Sequence, residues 1–241
     1  MARLSPKAIA AAIGLASIAS GVSAQTVAPL TFTRLSGLID NGYTAPYFNR
    51  TGVFRAELPN IGSLELLQIA LKDTSNVNAG WYGADSGFDL DAIKLSTEFK
   101  DSASGALSAA GLTVFDFPST SLIPGSQRPP KSPKQFGANA VGGVDPSATL
   151  DKFDAKYFSS GYVSLGFGGS IIFNLADTTP SPGSKLYLYV GEVGGQGETI
   201  TGDVFVTAPN QPVPEPGSWA LMLSGLGLLA GLVTRRRALR R

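Results

Sequence analysis

Gly161-Tyr162-Val163-Ser164-Leu165-Gly166-Phe167-Gly168-Gly169-Ser170-Ile171-Ile172-Phe173-Asn174-Leu175 is the stretch on which the fold turns. Two runs suited to extended backbone, 161–165 and 170–175, flank a glycine-rich tetrapeptide. The pattern predicts two strands joined as a hairpin through Gly166-Phe167-Gly168-Gly169.

The same signature recurs on either side. Lys185–Val190 alternates Leu186, Leu188 and Val190 against Tyr187 and Tyr189, and Ile200–Thr207 places Val204 and Val206 on one face. Gly194-Gly195-Gln196-Gly197 between them reads as a hairpin turn, since no Lys-Ser/Thr follows to make it a phosphate loop. Upstream, Thr31-Phe32-Thr33, Val53–Ala56 and Leu64–Leu71 are candidate strands, though the last also fits two helical turns. Phe88–Leu95 is a strand with a phase change. Phe88, Leu90 and Ala92 share one face, Ile93 and Leu95 the other, which predicts a bulge near Ala92. Leu112–Phe117 reads as a short strand closed by Pro118. Pro124–Ser147 reads as a long exposed loop. Seven to nine strands with steady turn signals predict an all-β fold. The expected form is an antiparallel, jelly-roll-like β-sandwich over residues 25–208.

Both ends of the chain read differently. Arg3 and Lys7, an apolar run from Ala8 to Ile18, and Val22-Ser23-Ala24 have the order of a secretory signal peptide. Residues 1–24 are therefore expected to be cut after Ala24, with the Sec translocon as the route. At the other end a proline-rich linker, 209–217, precedes an uncharged run, 218–234, and a cytoplasmic basic tail, 235–241. Seventeen residues of helix span roughly 25 Å, just short of a hydrocarbon core of about 30 Å. Arg235, Arg236 and Arg237 can snorkel to the headgroups and hold the end in the cytoplasm as a basic stop. Pro212, Pro214 and Pro216 keep the linker extended, the form a protease needs.

Pro214-Glu215-Pro216, the span and the arginines, in that order, resemble the PEP-CTERM sorting tail of exported bacterial proteins. The resemblance implies an inner-membrane-anchored precursor processed by an exosortase-type membrane peptidase. Its implied destination is the cell surface or an exopolysaccharide-rich extracellular matrix. Gly87–Ile93 and Val163–Ser170 resemble stretches in sandwich domains that such proteins carry, and that likeness implies no activity.

Composition limits the chemistry. There is no Cys and no His among the 241 residues. Ser-His-Asp and Cys-His systems, thiolate sites and His-ligated metals are thereby excluded. Seven of the 19 basic residues lie in 1–24 and 218–241, while all 18 acids lie in 25–217. The stretch between thus holds 12 basic and 18 acidic groups, a net charge of −6, which argues against nucleic acid as a partner. The strongest polar constellation is Asp85-Ser86-Gly87-Phe88-Asp89-Leu90-Asp91. Asp85, Asp89 and Asp91 could supply oxygens to calcium, the one cofactor the composition suggests. The alternative is a solvated strand face. Asp151 and Asp154 beside Lys152 and Lys156 read as a mixed-charge surface patch. Trp81 and Tyr82, with Tyr43 and Tyr47, could form a sugar platform or part of a core. Lys131 and Lys134 could touch acidic polysaccharide. No catalytic residue is singled out. The expectation is a structural or glycan-interacting protein, not an enzyme, and the competing reading is a secreted glycan-acting enzyme with paired carboxylates.

Overall fold

The computed structural model describes residues 26–40, 50–60, 64–156, 160–176, 184–194 and 197–207. The signal peptide with Ala24, Tyr43 and Tyr47, the linker with Pro214, Glu215 and Pro216, the span and Arg235–Arg237 lie outside the described residues. Among the described residues, no helix is long and apolar enough to cross a membrane.

Eleven strands and one short helix are described: β1 (Thr26–Leu30), β2 (Thr33–Arg34), β3 (Ile39–Asp40), β4 (Arg50–Glu57), β5 (Glu65–Asp73), β6 (Asp89–Ser96), α1 (Ala103–Ser108), β7 (Phe115–Ile123), β8 (Val163–Ser164), β9 (Ser170–Leu175), β10 (Tyr187–Val193) and β11 (Ile200–Thr207). They form two sheets in which neighbouring strands run antiparallel. One has the order β1-β11-β5-β9-β7; the other is β2-β4-β10-β6-β8, with β3 also on β4. Leu66, Ile69 and Phe173 of the first sheet share one buried core with Phe54, Leu90 and Leu188 of the second. The expected sandwich is present.

From β4 to β11 each successive strand joins the opposite sheet. The two expected hairpins are therefore not hairpins. β8 pairs with β6 and β9 with β5 and β7, so Gly166–Gly169 carries the chain from one sheet to the other. The turn between β10 and β11 does the same. The corner is tight enough to need glycine. Gly166 has φ +76°, and a Cβ on Gly169 would lie 1.9 Å from the Leu165 carbonyl oxygen. Glycine richness marked a sharp change of direction, which a hairpin and a sheet-to-sheet corner share.

β6 carries the expected bulge. Its register against β10 shifts between Leu90 and Ile93, where Asp91 and Ala92 oppose Gly191. The consequence differs from the expected one. The extra residue returns Ile93 and Leu95 to the core face with Phe88 and Leu90, while Ala92 turns to the outer face. A bulge resets the two-residue phase, so it restores a common face. Leu64–Leu71 resolves as strand β5. Pro118 does not close β7, which runs on to Ile123. β7 is an edge strand whose register against β9 shifts between Asp116 and Ser121, so the missing proline N–H costs no ladder bond. The 124–147 segment has no strand, but it is not simply exposed. Phe136 N–H donates to Ala84, its carbonyl accepts from Ser164 N–H, and Ala138 joins the core.

The outer face of the second sheet is covered too. Val53, Ala92 and Tyr189 pack there against Leu35, Phe153 and the α1 residues Ala103 and Ala106. Ser102 caps α1 by accepting from Gly105 N–H. Lys94 Nζ donates to the carbonyls of Ala106, Leu107 and Ala109 at 2.9–3.1 Å, satisfying the last turn. Covered on both faces, β10 is buried at every residue, whereas β11 alternates.

Candidate functional site

Five acidic side chains are buried in the described residues around one end of the sandwich: Asp73, Asp85, Asp89, Glu192 and Glu198. Asp73 ends β5 in phase with Ile69 and Leu71, so it points into the core. Its carboxylate accepts from Phe88 N–H (3.0 Å), Gly168 N–H (2.9 Å), Ser75 N–H (3.3 Å) and the Ser75 hydroxyl. It joins β5 to the start of β6 and to the β8–β9 corner. Its hydrogen bonds make it a structural tie.

Asp85 and Asp89 are less well provided. Asp85 closes a short 3-10 turn, Gly83–Asp85, and accepts from Tyr162 Oη at 2.8 Å. Asp89 pairs with Ser164 across β6 and β8, and the Ser164 hydroxyl donates to its Oδ1. Asp89 is fully buried, and its Oδ2 has no hydrogen-bond partner among the described residues. Glu192 follows Leu188 and Val190 on β10 and feels the charge of Glu198. Two glycines leave room for these groups. A Cβ on Gly80 would lie 2.2 Å from Glu198 Oε1; one on Gly52 would lie 3.4 Å from Glu192 Oε2 and 3.1 Å from the Arg34 guanidinium.

The electrostatics follow from this crowding. Burial, then the Glu198 charge, push Asp89 well above the ordinary carboxylate range; the Ser164 hydrogen bond opposes the rise, and Asp85 and Asp73 add to it. Burial and Glu198 push Glu192 up in the same way, against the Arg34 charge. Burial raises Asp85, opposed by Tyr162. Desolvation and like charge act together here, and both favour the neutral acid.

Asp91 belongs elsewhere. Thr51 Oγ1 donates to its Oδ2, and the N–H groups of Asp154 (3.2 Å) and Ala155 (3.0 Å) donate to its Oδ1. Burial pushes it up to about 7, opposed by those hydrogen bonds. The bulge separates the environments of Asp89 and Asp91, which a regular strand would have placed on one face. They are buried, not a solvated strand face. Among the described residues, no three acidic side chains stand ready-made as a metal cluster. Glu192 and Glu198 escaped the sequence reading. The signal for Glu192 was present: it falls in phase with Leu188 and Val190 on a strand otherwise without charge.

A second feature is an open groove of about 590 Å³ between β7 and the 139–151 segment. Phe117, Pro118, Val144 and Leu150 supply apolar walls; Asp145 and Asp151 lie at the polar margin. Thr120 also lines it, with a buried hydroxyl that has no hydrogen-bond partner among the described residues. The N–H and hydroxyl of Ser147 hold Asp145 below the usual carboxylate range. Phe117 and Asp151 continue into a smaller hollow of about 320 Å³ beside Phe115 and Lys94.

The expected aromatic platform is divided. Trp81 is half-buried against Tyr162 and Val193. Tyr82 is 51% exposed, with the Arg128 guanidinium 4.0 Å from its ring centre. Lys134 Nζ donates to the Ala138 carbonyl, and Lys131 is exposed. Asp151, Lys152, Asp154 and Lys156 are exposed, as a surface patch requires.

Residues 212–237 match the family model of the PEP-CTERM protein-sorting motif. The chain is thus a protein bearing a PEP-CTERM sorting domain, and the motif implies an exported, membrane-anchored precursor processed by exosortase. No curated protein and no solved structure matches the chain.

Proposed function

We propose that the exported domain is a structural or glycan-interacting module of the cell surface or extracellular matrix. The sorting motif at 212–237 carries the address. For the ligand, the groove beside β7 offers what a sugar chain takes: Phe117 and Pro118 for the apolar ring face, and Thr120 and Asp145 for hydroxyls. Binding fits the groove better than hydrolysis does. A glycosidase needs an accessible carboxylic acid with raised proton affinity beside an ionised partner. The raised acids Asp85, Asp89 and Glu192 are buried, and Asp145 in the groove is held ionised.

The test has two arms. In a host that has the peptidase, alanines at Pro214, Glu215 and Pro216 leave full-length protein in the membrane. A wild-type C-terminus still at Arg241 by mass spectrometry defeats the sorting reading. Against a panel of exopolysaccharides, the expected result is binding, at least tenfold weaker in Phe117→Ala, without release of reducing sugar. Turnover would replace the module with the carboxylate enzyme.

A further inference from the structure

We propose that the groove beside β7 takes a glycan bearing free amino groups, a chain of de-N-acetylated hexosamine, and turns acidic polysaccharide away; this rests on the reading of the groove as the glycan site. Its polar groups decide the charge of the occupant. Asp145 and Asp151 line it, and among the described residues no lysine or arginine does. Carboxylates without a cation repel uronate, sulfate and phosphate and attract an ammonium. The net charge of −6 on residues 25–217 acts in the same sense. The neighbouring lysines point elsewhere or lie outside. Lys134, whose charge reaches Asp145, donates from Nζ to the Ala138 carbonyl at 2.6 Å. Lys94, in the adjoining hollow with Asp151, donates to the carbonyls of Ala106, Leu107 and Ala109. Lys152 follows Asp151 in the chain but does not line the groove.

The rest of the lining suits a sugar ring. Phe117 and Pro118 offer an apolar wall for the ring face. Two other polar residues are already used: Asn139 Oδ1 accepts from the N–H groups of Val141 and Gly143, and Thr149 Oγ1 donates to Asp154. Thr120 is not. It is only 8% exposed, it lines the groove, and its hydroxyl has no hydrogen-bond partner among the described residues. A ligand rich in hydroxyls supplies the missing partner. Asp145 is held in place through Oδ1, which accepts from the N–H (2.9 Å) and the hydroxyl (2.8 Å) of Ser147. Its Oδ2 is left to face an ammonium. The volume of about 590 Å³ falls among ligand pockets, which run from roughly 300 to 1,000 Å³. A lysine-rich peptide would bring the ammonium without the ring face that Phe117 and Pro118 fit.

The test is calorimetric titration of the full chain in detergent micelles at about pH 6, where a sugar amine is protonated. The probes are oligomers of equal length of glucosamine, N-acetylglucosamine, galacturonate and lysine. The glucosamine oligomer is expected to bind about tenfold tighter than its acetylated counterpart, and the galacturonate oligomer not at all. Asp145→Asn, which keeps the acceptor for Ser147, and Asp151→Asn should each lower that preference about fivefold. Phe117→Ala should weaken both hexosamine oligomers. Equal wild-type affinity for the two, or tighter binding of galacturonate, overturns the amine preference; if Phe117→Ala still weakens binding, the glycan groove stands. Binding of none of the sugars, or indifference to Phe117→Ala, defeats the groove reading and this proposal with it. Oligolysine bound as tightly as oligoglucosamine makes the groove a basic-peptide site and overturns the proposal.

Discussion

Asp89 and Asp91 stand two residues apart on one strand, and both are buried. Asp91 accepts three hydrogen bonds from Thr51, Asp154 and Ala155. Asp89 accepts one, from Ser164, and meets the charges of Glu198, Asp85 and Asp73. The bulge at Asp91–Ala92 separates them. One carboxyl is part of the scaffold, tying β6 to β4 and to the 154–155 backbone. The other is left incompletely satisfied, among like charges. Burial alone does not say which role a carboxylate has; the count of donors and the sign of its neighbours do.

The largest expected effect is pH. Burial holds Asp91 up at about 7, so the folded chain keeps a proton there that the unfolded chain releases near pH ~4. Stability at this group is full below pH ~4, falls as pH rises, and levels above about 7. The loss is on the order of 4 kcal/mol. Asp89 and Glu192 are raised and act in the same direction. Glu98 and Asp145, held low by hydrogen bonds to Lys100 and Ser147, act in the opposite sense but are screened at the surface. Urea midpoints in EGTA should therefore be higher at pH 5 than at pH 8, and Asp91→Asn should flatten part of that slope. A midpoint that rises with pH breaks the comparison at its root.

The next effect separates the two residues. Asp91→Ala strands a hydroxyl and two N–H groups and should cost roughly 3 kcal/mol or more. Asp89→Asn keeps the Ser164 partner and replaces an acid already pushed toward its neutral form, so it should change stability by less than about 1 kcal/mol. Equal losses in denaturant melts would mean that both carboxylates are scaffold. A comparably small effect is expected of Ser164→Ala, which removes the one hydrogen bond to Asp89. About 1 kcal/mol is expected, a fall of roughly 2–4 °C in melting temperature. A larger drop would make that pair a tie like Asp73.

Local pattern determined a good deal by itself. Alternation in Lys185–Val190 and Ile200–Thr207 marked strands, because a strand's side-chain period is two wherever one face is buried. The phase slip in Phe88–Leu95 marked the bulge. The order of prolines, span and arginines marked the sorting signal, since linear motifs are read without folding. Only the tertiary structure decided which sheet each strand joins. Gly166–Gly169 bends the chain in either case, and pairing depends on partners far away in sequence. It also decided the face on which Ile93 and Leu95 lie, because a bulge acts on register against β10. And it alone assembled Asp73, Asp85, Asp89, Glu192 and Glu198. No spacing relates those residues; they meet because β5, β6 and β10 run to the same edge of a shared core, where burial and like charge push Asp85, Asp89 and Glu192 up.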